Sequence, residues 1–215
     1  MRQPLPEALR LYLVTDQASL RGRTLADVVL AAVQGGVSCV QLREKTQATR
    51  DFVELAIAVK ELLAPFAVPL VINDRIDVAL ACHADGVHLG QSDMPVAMAR
   101  QLLPPGVFIG LSVENLDDVT RAASQPVDYL GISPVYATPT KTDTAAPWGL
   151  AGVCQVRALS RLPLVAIGGI HHGNAVEVLQ AGADGLAVVS AICSAPDPQA
   201  AAQSFQHIFR TQQPA

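Results

Sequence analysis

Apolar positions in this chain fall into short recurrent runs, and most of these runs stop at polar residues or glycine. Residues 10–16 (Arg-Leu-Tyr-Leu-Val-Thr-Asp) form the first run, and others cover 37–42, 69–72, 86–89, 108–111, 129–132, 164–167 and 185–189. Each is short and mostly Val, Leu and Ile, the pattern of a parallel strand buried on both faces. Between the runs the spacing turns helical. Phe52, Leu55, Ala56, Val59, Leu62 and Leu63 share one face of a helix over 49–63, which Pro65 ends. A helix over 25–34 has Thr24 as its cap and Gly35-Gly36 as its stop. Further helices are predicted over 77–82, 95–103, 116–123, 150–159, 174–181 and 198–209. Eight strand–helix units in succession predict an α/β chain folded as a single-domain (β/α)8 TIM barrel over 1–215, with its core at about 9–210. The competing open doubly wound sheet wants fewer strands and a Gly-rich first turn, which Leu13-Val14-Thr15-Asp16-Gln17 lacks.

Composition narrows the picture. Half of the 215 residues are hydrophobic and only 16% charged, enough for a large core. Aromatics are 4%, so that core is aliphatic, as barrel strands require. A net charge of -4 without a basic run argues against nucleic acid as a partner, so any anion site must be local. Cys39, Cys82, Cys154 and Cys193 are scattered and form no Cys-x-x-Cys pair, which fits reduced thiols in a cytoplasmic protein. The first residues lack the apolar core of a signal peptide, and no run is long enough to span a membrane. A homo-oligomer stays open.

In such a barrel the residues just after each strand meet on one face. Gln41, Arg43 and Lys45 alternate, so they project together if the strand continues, and their donors suit an anion with several oxygens such as a diphosphate. Taken alone they equally fit a strand end with solvated cations. Asp74 and Asp93 follow the third and fourth strands; a lone Asp there reads as a helix cap, but the two together, opposite Arg and Lys, point to Mg²⁺. Gly168-Gly169 and Val189-Ser190 follow strands seven and eight, the usual phosphate position, although Gly-Gly alone reads as a tight turn. Residues 133–147 form a long hydroxyl-rich loop with one lysine, Lys141; it is expected to be a lid that brings Lys141 to a phosphate rather than a disordered surface loop. Two anion sites, one with metal, suggest two phosphorylated small molecules joined in one pocket. The histidines show no metal-ligand spacing, and His88 inside a strand reads as a packed, hydrogen-bonded residue.

Gln41-Leu42-Arg43-Glu44-Lys45, Asn73-Asp74, the run from Gly86 through His88 to Asp93, Thr138-Pro139-Thr140-Lys141, Ile167-Gly168-Gly169-Ile170 and Val189-Ser190 together resemble the thiamine-phosphate synthase family. The resemblance covers about residues 11–205 and implies a transferase. It would join a pyrimidinylmethyl diphosphate to a thiazole phosphate, giving thiamine phosphate and diphosphate. By position it implies Gln41, Leu42, Arg43, Glu44, Lys45, Asn73, Ser112 and Lys141 as the pyrimidine diphosphate site. It implies Thr138, Pro139, Thr140, Gly169, Val189 and Ser190 as the thiazole phosphate site, and Asp74 and Asp93 as Mg²⁺ ligands. Catalysis would rest on Arg43, Lys45, Ser112 and Lys141, with diphosphate leaving before the thiazole nitrogen attacks. No general base or protein nucleophile stands out, which agrees. Ser133, where relatives often have Gly, and residues 144–149 depart from the family pattern. Two alternatives remain: a thiazole tautomerase, which needs an acid–base residue and no diphosphate cradle, and a non-catalytic binding protein for a thiamine precursor, which would be expected to lose its metal ligands.

Overall fold

The computed structural model of the chain describes residues 4–138 and 146–212. Eight parallel strands close into a barrel in sequence order: β1 (Leu11–Val14), β2 (Cys39–Leu42), β3 (Leu70–Asn73), β4 (Gly86–Leu89), β5 (Phe108–Val113), β6 (Tyr129–Ile132), β7 (Leu164–Ile167) and β8 (Gly185–Val188). The helices are α1 (Leu5–Ala8), α2 (Leu25–Gln34), α3 (Thr49–Leu63), α4 (Ile76–Ala81), α5 (Val96–Leu102), α6 (Leu116–Ala122), α7 (Gly149–Leu159), α8 (Ala175–Gln180), α9 (Ser190–Cys193) and α10 (Pro198–Thr211). The strands and main helices lie where the apolar spacing predicts them. Helices α2 and α3 match it residue for residue, and Thr24 caps α2 by accepting from the Asp27 N–H.

Two short helices were not anticipated. The segment before β1 contains α1, started by Pro4 and Pro6, and α9 follows β8 directly. Leu5 and Leu9 pack into the lower end of the barrel beside Tyr12 and Cys39. The fit there is close: a Cβ on Gly185 would lie 2.0 Å from the Leu9 carbonyl oxygen.

Strand alternation divides the core into two layers. Leu11 and Leu13 face outward, into the large layer between barrel and helices, whereas Tyr12 and Val14 face inward with Val71, Tyr129, Val165 and Ala187. Glycines at inward positions make room for rings on neighbouring strands. A Cβ on Gly86 would meet the Phe108 ring at 2.4 Å, one on Gly110 the Tyr129 ring at 2.0 Å, and one on Gly131 the His88 ring at 2.9 Å. This pairing of small and large residues lets the Phe108, Tyr129 and His88 rings share the barrel interior with Tyr12.

The lower rim carries a repeat that the sequence displays as Ala-Asp-Gly, Val-Asp-Tyr and Ala-Asp-Gly ahead of β4, β6 and β8. Asp85, Asp128 and Asp184 each accept a backbone N–H at the start of the preceding strand, from Leu70 (2.8 Å), Ile109 (2.7 Å) and Leu164 (2.7 Å). Each carboxylate also pairs with a cation from a surrounding helix: Lys60, Arg100 and Arg157 respectively. Ahead of β2 the hydroxyl of Ser38 takes the same place and accepts from the Leu11 N–H at 2.9 Å. These contacts stitch the barrel end opposite the strand termini that carry the site.

Candidate active site

A cavity of about 830 Å³ opens at the carboxyl ends of the strands and is lined from all eight of them. Its volume is in the range of small-molecule sites, roughly 300–1,000 Å³.

At the end of β2 the alternation persists beyond the last paired residue, Leu42, and Gln41, Arg43 and Lys45 all line the cavity. Leu42 faces the other way, buried in the layer between barrel and helices, and Glu44 accepts a hydrogen bond from Gln17 at 3.0 Å. Neither of these two side chains lines the cavity. Burial pushes the Glu44 carboxyl up, opposed by the Gln17 bond. Arg43 is fixed through its backbone, which donates to the Thr15 hydroxyl at 3.0 Å, and its guanidinium lies 3.8 Å from Asp16. Lys45 rests on Asp74, with Nζ 2.5 Å from Oδ2.

Asn73, the last residue of β3, is buried and faces the cavity. The next residue, Asp74, takes a left-handed backbone conformation (φ 61°), which Asp tolerates better than most residues. Its N–H bonds the His88 carbonyl at 2.9 Å, turning the chain so that the carboxylate faces the end of β4. There Asp93 accepts the Gly90 N–H at 2.6 Å. Burial, then the neighbouring Asp74 carboxylate, hold the Asp93 carboxyl above its usual range, against the pull of the Gly90 N–H and Lys45. Two carboxylates held together against their own repulsion suit a dication. Among the described residues no group of three or more His, Cys, Asp or Glu side chains is placed to hold a metal, so such a site would draw on these two carboxylates. That leaves positions for water and substrate phosphate, the way Mg²⁺ is usually bound.

Opposite them, Gly169, Val189 and Ser190 line the cavity with Thr138. Gly168 (φ 101°) and Gly169 (φ 66°) both require the left-handed region. They also admit the chain after β6: a Cβ on Gly168 would lie 2.6 Å from Pro134, and one on Gly169 2.8 Å from the Tyr136 side chain. The loop is tied there by Val135 N–H to the Ile167 carbonyl (2.8 Å) and Tyr136 N–H to the Gly168 carbonyl (3.0 Å). The Gly-Gly pair therefore has a packing role beside any phosphate role. Pro139, Thr140 and Lys141 lie outside the described residues.

Inside the barrel the sequence reading found less than is there. It placed His88 correctly as hydrogen-bonded, but His88 also lines the cavity, together with Tyr12 and Tyr129. His88 Nδ1 lies 2.8 Å from the Tyr129 hydroxyl, and Nε2 lies 2.9 Å from the hydroxyl of Ser112. The Tyr129 hydroxyl is 3.0 Å from that of Tyr12, which accepts from Gln41 Nε2 at 2.9 Å. Burial pushes both phenols well above their usual range, so they stay protonated. The available signal was parity: Tyr12, His88 and Tyr129 all occupy inward strand positions.

Fold and cavity define a (β/α)8 barrel whose cavity opens at the carboxyl ends of its strands and is lined there by cations and paired carboxylates. The family model for thiamine monophosphate synthase matches residues 11–192. The thiamine-phosphate synthase of Albidiferax ferrireducens is 73% identical over 203 residues, covering 94% of this chain and 93% of that protein. The thiamine-phosphate synthase of Vibrio campbellii is 52% identical over 204 residues, covering 94% of this chain and 99% of that one. Among solved structures, the thiamine phosphate pyrophosphorylase of Pyrococcus furiosus superposes with a TM-score of 0.88 at 36% identity, covering 97% of this chain and 98% of that chain. The chain belongs to the thiamine monophosphate synthase family.

Proposed function

We propose that the chain joins a pyrimidinylmethyl diphosphate to a thiazole phosphate, releasing diphosphate and forming thiamine phosphate. The observation that carries this reading is that one cavity is lined by Arg43 and Lys45 with Asp74 and Asp93 on one side, and by Gly169 with Val189 and Ser190 on the other, two places suited to phosphate. In the reaction the bond between the methylene carbon and the diphosphate oxygen breaks, its electron pair leaving with the diphosphate. The thiazole nitrogen then gives its lone pair to the methylene carbon, and no proton need move.

Arg43 and Lys45 would bind the diphosphate and meet the charge that grows as it departs, where fixed cations act most strongly. Asp74 and Asp93 would hold Mg²⁺, which when bound neutralises diphosphate oxygens and makes them a better leaving group. Lys45, now engaged by Asp74 at 2.5 Å, would exchange that carboxylate for the diphosphate. Gln41, Asn73 and Ser112 would orient the pyrimidine half, with the backbone of Leu42 and Glu44 forming the wall behind it. Thr138, Pro139 and Thr140 would close on the thiazole phosphate with Gly169, Val189 and Ser190, and Lys141 would reach the diphosphate. No helix among the described residues is long and apolar enough to cross a membrane, and the cytoplasm is the compartment we propose.

The test is diphosphate release by purified protein with Mg²⁺, with and without the thiazole phosphate. Release that needs both substrates and equals the thiamine phosphate formed is the expected result. Binding of both substrates with no release would overturn it in favour of a non-catalytic binding protein.

A further inference from the structure

Five polar side chains from five strands form one hydrogen-bonded chain across the barrel interior, yet only its two ends have a part in the reading above. It runs from Gln41 on β2 through Tyr12 on β1, Tyr129 on β6 and His88 on β4 to Ser112 on β5. Its construction is specific. The Tyr129 ring fills the space left by Gly110 and the His88 ring that left by Gly131, so each ring is seated against a strand that has no Cβ at that point.

The first link fixes one donor, and a line polarised in one direction assigns the others. Gln41 donates to the Tyr12 oxygen, and in the arrangement in which each hydroxyl then accepts once and donates once, one of the two directions these contacts allow, the Tyr12 proton serves the Tyr129 oxygen and the Tyr129 proton serves His88 Nδ1. An imidazole whose Nδ1 accepts carries its proton on Nε2, which donates to Ser112. The Ser112 proton is then left to point into the cavity, while Gln41, its amide N–H committed to Tyr12, turns its carbonyl oxygen to other partners. We propose that Tyr129 and His88 are positioning residues whose hydrogen-bond chain fixes Ser112 as a donor and Gln41 as an acceptor toward the pyrimidine half of the substrate.

The assignment rests on the function proposed above, and the experiment separates the two. Two-bond ¹H–¹⁵N spectra of histidine-labelled protein without substrate, with His88 assigned from a His88→Gln difference spectrum, read the tautomer directly. The expected wild-type signal is the Nε2–H form, and Tyr129→Phe is expected to release that preference while its ring keeps the Gly110 space filled. In turnover, Tyr129→Phe should lower kcat/KM for the pyrimidine diphosphate by roughly tenfold to a hundredfold, with KM for the thiazole phosphate unmoved. Adding Tyr129→Phe to Ser112→Ala should cost little more than Ser112→Ala alone, because the relay acts through that hydroxyl. If Tyr129→Phe does not fold, Tyr12→Phe interrupts the same chain one link earlier. An Nδ1–H imidazole in the wild type, or losses that multiply in the double variant, would overturn the proposal. The tautomer is read without substrate, so it decides the relay even if the wild type forms no thiamine phosphate, a result that would count against the function instead.

Discussion

Asp93→Asn separates what the carboxylate pair does for the reaction from what it costs the fold. Asp74 and Asp93 interact closely enough to hold the Asp93 carboxyl above its usual range. Two unit charges 4 Å apart repel by about 1 kcal/mol in bulk water, and by about 4 kcal/mol at the effective dielectric of a partly buried site. The Asp74 charge is already offset by Lys45 at 2.5 Å, so the net repulsion is taken at the lower figure. An amide keeps an oxygen for the Gly90 N–H, so the substitution removes the repulsion together with the weaker pull of Lys45. Without Mg²⁺ the variant should therefore gain about 1 kcal/mol, which for a chain of this size raises the melting temperature by about 2–4 °C. With Mg²⁺ the order reverses, since the wild type alone keeps both anionic ligands and gains more from added metal. Turnover should fall at least about a hundredfold, or about 2.7 kcal/mol in the barrier. Melting curves with and without Mg²⁺, beside steady-state rates, measure all three. A variant that melts below the wild type without metal, yet shows the same Mg²⁺ shift and rate, would refute the pairing of these carboxylates around a cation.

Three further substitutions test other parts of the molecule. Lys141→Ala should weaken pyrimidine diphosphate binding by roughly 1.5–3 kcal/mol, the worth of a charge-assisted hydrogen bond, and wild-type affinity and rate would remove Lys141 from the site. Asp128→Ala takes away the acceptor of the Ile109 N–H and the partner of Arg100, so it should cost roughly 1.5–3 kcal/mol in denaturant unfolding with the chemistry unaffected; unchanged stability would mean that the lower-rim carboxylates do not stitch the barrel. Gly110→Ala puts a methyl group 2.0 Å from the Tyr129 ring and should cost about 1–3 kcal/mol by overpacking, read as a lower melting temperature. A neutral result there would show that the ring has room to move.

Periodicity carried the barrel because a parallel strand covered on both faces must be apolar throughout, and a helix packed on it must be apolar on one side. Both demands are local and leave their mark on neighbouring residues. The same locality explains why α3 was legible to the residue, while α1, held by the packing of Leu5 against the barrel floor, was not predicted. Much of the cavity lining was legible too. A (β/α)8 barrel gathers whatever follows its strands, so knowing the fold turns Lys45, Asp74, Asp93, Ser112, Gly169 and Ser190 into neighbours without coordinates.

Contacts across the barrel had no such sequence mark. Tyr12, His88 and Tyr129 stand far apart in the chain, and each alone is one more side chain in an apolar run. The inward parity of three strands and the missing Cβ atoms of Gly110 and Gly131 bring them to one hydrogen-bonded line. Likewise Gly168-Gly169 reads as a turn or a phosphate loop, and only packing revealed that the chain after β6 lies against it. The sequence by itself therefore determined the barrel, the face that carries the site and the family. Tertiary structure alone decided which partner each polar group has, because partner choice depends on closure of the sheet, and closure is a property of all eight strands together.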